Sequence, residues 1–262
     1  MIGRVLPTFL PTRAAGPAPG YLRPEGDRVE AYYGRLLSSD LGPTPFFHRL
    51  HQLLEKTHHT ELGYDPRKWL YPSVDRRQDG ELACLYTTRQ TPEGWSRLAA
   101  GAPLDAARLG AEVALSYSCE HVVPRHSFDD EQPMRGDLHH LFSVLSAGNE
   151  ERGHAKLAEF APGEETLSGV CGRFSLDLTR FEPTAGKGPA ARATLYFLLR
   201  YPGRARGLTR GDLDMLLRWH RQDPVSDYER HRNQEIFLRQ GNRNPLVDFP
   251  GWADRVDFRA GL

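Results

Sequence analysis

The sequence predicts an α+β fold, mostly helical, in a single domain. Apolar residues recur at helical spacing between cap and breaker residues along much of the chain. Short segments near the middle read as extended instead. The 262 residues, 39% hydrophobic and 26% charged, suit one soluble domain with a core that needs no staples. No internal repeat is visible, and no apolar run approaches the ~20 residues of a membrane-spanning helix.

Residues 1–26 hold Pro7, Pro11, Pro17, Pro19 and Pro24 and are expected to form a flexible arm before a domain over 27–262. Their apolar start is broken by Pro7, Pro11 and Arg13, so it does not read cleanly as a signal peptide. A helix is expected over 28–37, ended by Gly42-Pro43. A second follows over 45–57, where Phe46, Leu50, Leu53 and Leu54 form one stripe. Residues 66–92 read as extended, with a turn at Asp79-Gly80 and a buried strand over 82–86. A short helix is expected over 104–113.

A strand then runs out near His121, consistent with Pro124. A loop over 125–136 leads to a second strand containing 138–141. A helix over 147–160 follows, with Ser146 as N-cap and Asn149 in its first turn. Residues 166–183 read as irregular or strand. Pro189 suits the first turn of a helix reaching Tyr201. Asp212 is placed as cap of a helix over 213–220. Ser226-Asp227-Tyr228-Glu229 has capping-box form, and Gly241 closes that helix. The tail over 242–262 reads as polar and loop-like.

The formal net charge is zero, which argues against a general electrostatic grip on nucleic acid. The distribution is uneven: residues 191–245 hold 11 Arg against 6 Asp or Glu, leaving +5 there and −5 elsewhere. Arginine offers a planar fork for phosphate. The bland reading is a solvated helical face. Cys84, Cys119 and Cys171 match neither a disulfide framework nor a zinc ribbon, and at most one disulfide could form within the chain.

The most informative stretch is Glu120-His121-Val122-Val123-Pro124, followed by Asp137-Leu138-His139-His140-Leu141 and Asn149. Phosphodiester hydrolysis needs a deprotonated water and stabilised charge on the phosphate and the leaving oxygen. A neutral imidazole can take the proton. One hard divalent cation can meet both charge demands, and Mg²⁺ needs only one or two protein oxygens. Glu120 and the side-chain oxygen of Asn149 fit that demand. Glu-His alone is a weak signal; the weight lies in the combination.

That combination, Tyr117-Ser118-Cys119-Glu120-His121-Val122-Val123-Pro124 with Asp137–Leu141 and Asn149-Glu150-Glu151-Arg152, resembles the bacterial endonuclease I family of ββα-metal (His-Me finger) nucleases. The likeness runs on through Ala191–Tyr196 with Arg200-Tyr201, through Trp219, Asp223-Pro224-Val225, Glu229 and Arg232-Asn233, and through Gln240–Pro245 with Asp248. It covers roughly residues 30–250. The resemblance implies a ββα-metal core and a sequence-tolerant endonuclease cutting DNA, with RNA as a second substrate. It implies His121 as general base, Glu120 and Asn149 as ligands of Mg²⁺ (or Mn²⁺ or Ca²⁺), and 5′-phosphate products. The family also uses an arginine at the scissile phosphate, for which Arg125 and Arg135 are both candidates. Where many members carry Arg-Ser-Asn, this chain has Arg152-Gly153-His154, leaving His154 without a role. Family likeness suggests secretion or the periplasm, and a monomer without a membrane is expected.

Asp137, His139 and His140 are expected behind the site as supports. His58 and His59 read as surface or capping residues, and His126 as a solvated loop residue. Arg239, Arg243 and Asn244 either meet substrate phosphates or tie the tail to the body. Trp219 and the 196–199 run read as core. Two rivals are a silent nucleic-acid-binding protein and a toxin or effector with a protein partner. The intact trio of Glu120, His121 and Asn149 argues against the first.

Overall fold

The computed structural model describes Tyr21, residues 26–87 and residues 117–262. The expected arm, Tyr21 and Gly26 apart, and the expected helix over 104–113 lie outside the described residues. Helix α1 (Gly26–Tyr33) passes into a 3-10 turn, Gly34–Leu36. Helix α2 (Pro43–Thr57) buries Phe46, Phe47, Leu50 and Leu54, nearly the stripe that the spacing predicts. Pro43 sits at its start, where a missing N–H costs nothing.

The extended reading of 66–92 is corrected in part. Leu70–Val74 is a π-helical turn, and within 82–86 only Ala83 makes a bridge. Leu82, Cys84, Leu85 and Tyr86 are buried as expected. The apolar run was legible, but its backbone has no long partner: Leu85 N–H reaches Ser143 O at 3.0 Å and the chain then turns.

Strand β1 (Tyr117–His121) pairs antiparallel with β2 (Leu141–Leu145), placing Glu120 opposite Phe142 and His121 opposite Leu141. The second strand therefore starts later than expected. Residues Leu138–His140 form a 3-10 turn because the Asp137 carboxylate accepts the His139 N–H at 3.0 Å and caps it. Helix α3 (Ser146–Arg152) follows directly, N-capped by Leu145 without a side-chain bond. It stops well short of residue 160 because Gly153 turns at φ +51°. Four short strands come next: β3 (Lys156–Leu157), β4 (Leu167–Ser168), β5 (Gly172–Phe174) and β6 (Arg180–Pro183). They form a sheet in the order β3-β6-β5-β4, parallel only between β3 and β6.

Helix α4 (Lys187–Arg200) is the spine. Residues 190–199 are all buried, so the helix is wrapped on every side. Its neighbours include helix α5 (Arg210–Gln222), α2 and the 138–140 turn. Thr209, not Asp212, caps α5; Asp212 returns the bond from the N3 position of a capping box. Helix α6 (Asp227–Gln240) has the expected Ser226/Glu229 box and a left-handed Gly241 closing it. The tail departs from expectation. It holds a short helix, α7 (Pro245–Asp248), and two 3-10 turns, and it buries Leu246, Trp252 and Phe258 against the core.

Candidate active site

Strand β1 carries Glu120 and His121 at its end, and helix α3, which packs on β1 and β2, carries Asn149. Ser118 and Glu120 share one face of β1 by the two-residue period. The Asn149 carboxamide nitrogen donates to Ser118 Oγ at 2.9 Å and to the Cys119 carbonyl at 3.4 Å. That bond pins the first turn of α3 to the Glu120 face and turns the amide oxygen the other way.

Glu120 is buried. Its Oε1 accepts the hydroxyl of Tyr86 at 2.8 Å and the guanidinium of Arg152, which is buried beside it. Arg152 also donates to the carbonyls of His121 and Val122, at 3.2 and 3.0 Å. Burial lifts the Glu120 carboxyl above its ordinary range; Arg152 and Tyr86 oppose that lift. Arg152 stands three positions after Asn149, so one short helix supplies both groups. Sequence reasoning quoted Arg152 without a role and missed Tyr86 and Ser118. The i, i+3 spacing could have flagged Arg152. Nothing local points from Tyr86 to Glu120.

His121 lies on the other side of β1. Its Nε2 bonds to the Arg135 carbonyl at 3.0 Å, and its ring stacks on Tyr64 with centroids 5.2 Å apart. Burial, with His140 and Arg125 nearby, pushes His121 down to about 3, so the imidazole is neutral at neutral pH. Arg125 and Arg135 both reach Asp130: the Arg125 Nε donates to it at 2.5 Å, and the Arg135 Nε lies 3.5 Å from it. Both candidates therefore converge on one carboxylate beside His121.

Behind the site, Asp137 is a fully buried hub. It accepts the hydroxyls of Tyr196 and Tyr201 at 2.7 and 2.9 Å and the Gln240 amide at 2.9 Å. Burial pushes its carboxyl up, but His58, His139, His140 and the Gln240 bond outweigh it and hold Asp137 well below the usual carboxylate range. His139 bonds to the Asn242 carbonyl at 3.2 Å and His140 to the Met134 carbonyl at 2.6 Å. They face separate partners. His58 caps the C-terminus of α2 yet is buried against Asp137 at 3.9 Å, a correction to the surface reading. His126 and His154 are exposed and meet edge to face at 5.1 Å, at a cleft that Arg152 also lines.

The arginine-rich segment is largely spoken for. Of the 11 Arg in residues 191–245, nine are ion-paired, among them Arg192 with Glu229 and Arg232 with Asp75. Arg239 donates to Glu235 and Ser73, Arg243 to Asp248, and the Asn244 amide to the Arg192 carbonyl. Arg243 and Asn244 are buried. Arg239 and Arg243 are thus ion-paired, and Asn244 ties the tail to α4 and α6.

The donor set suits a hard cation. Glu120 offers a carboxylate and Asn149 an amide oxygen, and among the described residues no group of three His, Cys, Asp or Glu could hold a metal. An ion that keeps most of its water, such as Mg²⁺, fits two oxygen ligands; a structural zinc does not.

The model of the family described as Endonuclease I matches residues 46–251. The chain is 33% identical to an extracellular ribonuclease of Bacillus subtilis over 229 residues, covering 79% of this chain and 72% of that protein. It is 29% identical to an extracellular deoxyribonuclease of Aeromonas hydrophila, covering 53% and 67%. A periplasmic deoxyribonuclease of the same organism is 28% identical, covering 54% of this chain and 67% of its own length.

Proposed function

Since the chain belongs to the endonuclease I family, we propose that it is a sequence-tolerant endonuclease that hydrolyses phosphodiester bonds in DNA, and in RNA as a second substrate. Relatives named as extracellular ribonuclease and as extracellular and periplasmic deoxyribonuclease support both substrates and an extracytoplasmic setting. Low specificity follows where contacts fall on the backbone, which carries no sequence information. Among the described residues no helix is long and apolar enough to cross a membrane.

The observation that carries the mechanism is the bond from His121 Nε2 to the Arg135 carbonyl, which leaves the lone pair on Nδ1. Its Nδ1 takes the proton of the attacking water. The new P–O bond forms as the bond to the 3′-oxygen breaks, and a solvent water protonates that oxygen, giving a 5′-phosphate and a 3′-hydroxyl. Glu120 and Asn149 would hold one divalent cation, Mg²⁺ with Mn²⁺ or Ca²⁺ as alternatives. When bound, it supplies charge stabilisation at the scissile phosphate and the leaving oxygen. Arg152 and Tyr86 hold the Glu120 carboxyl in place and favour its ionised form against the pull of burial. Arg125 or Arg135, released from Asp130, gives the phosphate a cationic contact. On this reading β1, β2 and α3 are the ββα-metal core.

Plasmid digestion with Mg²⁺, with and without excess EDTA, tests this reading. Nicking and linearisation in Mg²⁺ that stop in chelator are expected. Undiminished cutting in EDTA refutes the cation. Tight DNA binding with no turnover in Mg²⁺ or Mn²⁺ favours a silent binding protein instead.

A further inference from the structure

Cys84 and Cys171 stand 87 positions apart in sequence, yet their sulfurs lie 3.6 Å apart in the core. A disulfide requires about 2.05 Å, so a shift of about 1.5 Å closes the gap. Cys84 is prepared to attack. Its Sγ accepts the Leu145 N–H at 3.3 Å, and the backbone N–H groups of Tyr86 and Thr87 add to that. The bond from Cys171 and these amides lower the Cys84 thiol against the pull of burial, which favours its thiolate. Cys119 is engaged elsewhere: its thiol bonds the Tyr64 side chain.

The pair joins the two pieces that hold Glu120. Cys84 lies two positions before Tyr86, whose hydroxyl bonds Glu120. Cys171 packs under Gly148, so closely that a Cβ there would lie 2.2 Å from its sulfur. Gly148 immediately precedes Asn149 on the helix that also carries Arg152.

We propose that Cys84 and Cys171 form an intramolecular disulfide in an oxidising medium, and that this bond clasps the Tyr86 segment to helix α3. The oxidant is a small-molecule disulfide. The Cys84 thiolate attacks one of its sulfurs and expels a thiolate, leaving a mixed disulfide. Cys171 then loses its proton to solvent, attacks the Cys84 sulfur and expels the second thiolate. Two electrons pass from the protein to the reagent, which leaves as two thiols. Because both sulfurs are buried, the exchange proceeds during folding or through local opening.

The full-length chain is refolded with glutathione disulfide or with dithiothreitol, and its thiols are titrated after denaturation. One thiol in the oxidised sample against three in the reduced one is expected, with the Cys84 and Cys171 peptides linked in mass mapping. The thermal midpoint of the oxidised form is expected to rise by roughly 5 °C or more. That difference is expected to vanish in a Cys84→Ser/Cys171→Ser variant that still cuts DNA. Should that variant not fold, Cys119→Ser carries the test, with no titratable thiol after oxidation. Three thiols after oxidation, a link through Cys119, or equal midpoints in the two states overturns the proposal. Thiol counts and peptide maps are independent of nuclease activity.

Discussion

His121 donates its Nε2–H to the carbonyl oxygen of Arg135 at 3.0 Å. A carbonyl only accepts, so this one bond fixes the tautomer and leaves the lone pair on Nδ1. Tyr64 stacks on the ring, and Phe128 and His140 flank it. Rotation of the imidazole is thereby restricted, and a neutral, aimed imidazole is what a general base requires.

The His121→Ala variant is therefore expected to lose turnover by about 10²–10⁴-fold, the usual contribution of a positioned base. Its fold should persist, with a lower melting point, because the substitution removes one side-chain bond to a loop carbonyl, worth about 1 kcal/mol, and the ring's packing against Tyr64, Phe128 and His140. Plasmid nicking rates and a thermal melt measure both effects. Wild-type rates in this variant would remove His121 from the mechanism.

Arg152 and Glu120 form a buried ion pair, and Arg152 makes further bonds to two carbonyls of the same strand end. Replacing it with Met leaves Glu120 buried without its countercharge, which costs about 3–5 kcal/mol or protonates the carboxyl. A protonated Glu120 is a poor cation ligand. Arg152→Met should lower both the urea midpoint and activity, the latter by about 10–100-fold at limiting Mg²⁺. Arg152→Lys keeps the charge but loses the fork, so it should fall between the two. Mg²⁺ titrations of cutting rate read the outcome; an unchanged Mg²⁺ response in both variants would separate Arg152 from the cation.

Local signals were legible wherever a side chain acts on its own backbone. Ser226 and Glu229 announce their helix because both halves of the box lie within four residues, and Gly241 ends it because its φ of +88° is costly for other residues. Thr209 and Asp212 make the same box, but the sequence does not say which member is the cap. The trio of Glu120, His121 and Asn149 was read from the combination of motifs that resembles the family, since Asn149 stands 29 positions after Glu120. Its partners were not. Tyr86 meets Glu120 across 34 positions and Ser118 meets Asn149 across 31, contacts that only the tertiary fold creates. The tail misled because it is polar by count, whereas Leu246, Trp252 and Phe258 are the residues that decide its burial. The pairing of the basic segment was not legible for a related reason: its arginines are met by carboxylates, several of them remote in sequence, such as Asp75 and Glu131.

Acid should unfold this protein earlier than its carboxylates alone would require. Burial pushes His121 down to about 3 and His139 to about 4, and it lowers His58 and His140 as well. In the unfolded chain these imidazoles titrate near 6.5, so below that pH the unfolded state binds more protons than the folded one. Their contribution is fully present above about 6.5 and is lost as pH falls toward the folded values, at up to about 1.4 kcal/mol per pH unit for each group. Asp137, held low in the fold, adds a loss in the same direction, but only below about 3.9. Glu120 works the other way: its folded pKa is raised, so its contribution is present at low pH and lost as pH rises. Urea unfolding at steps between pH 7.5 and 5 should show stability falling from about 6.5 downward. That window lies above the titration of ordinary carboxylates, so a decline there isolates the histidines. A flat profile down to pH 5 would mean that these rings are not held neutral.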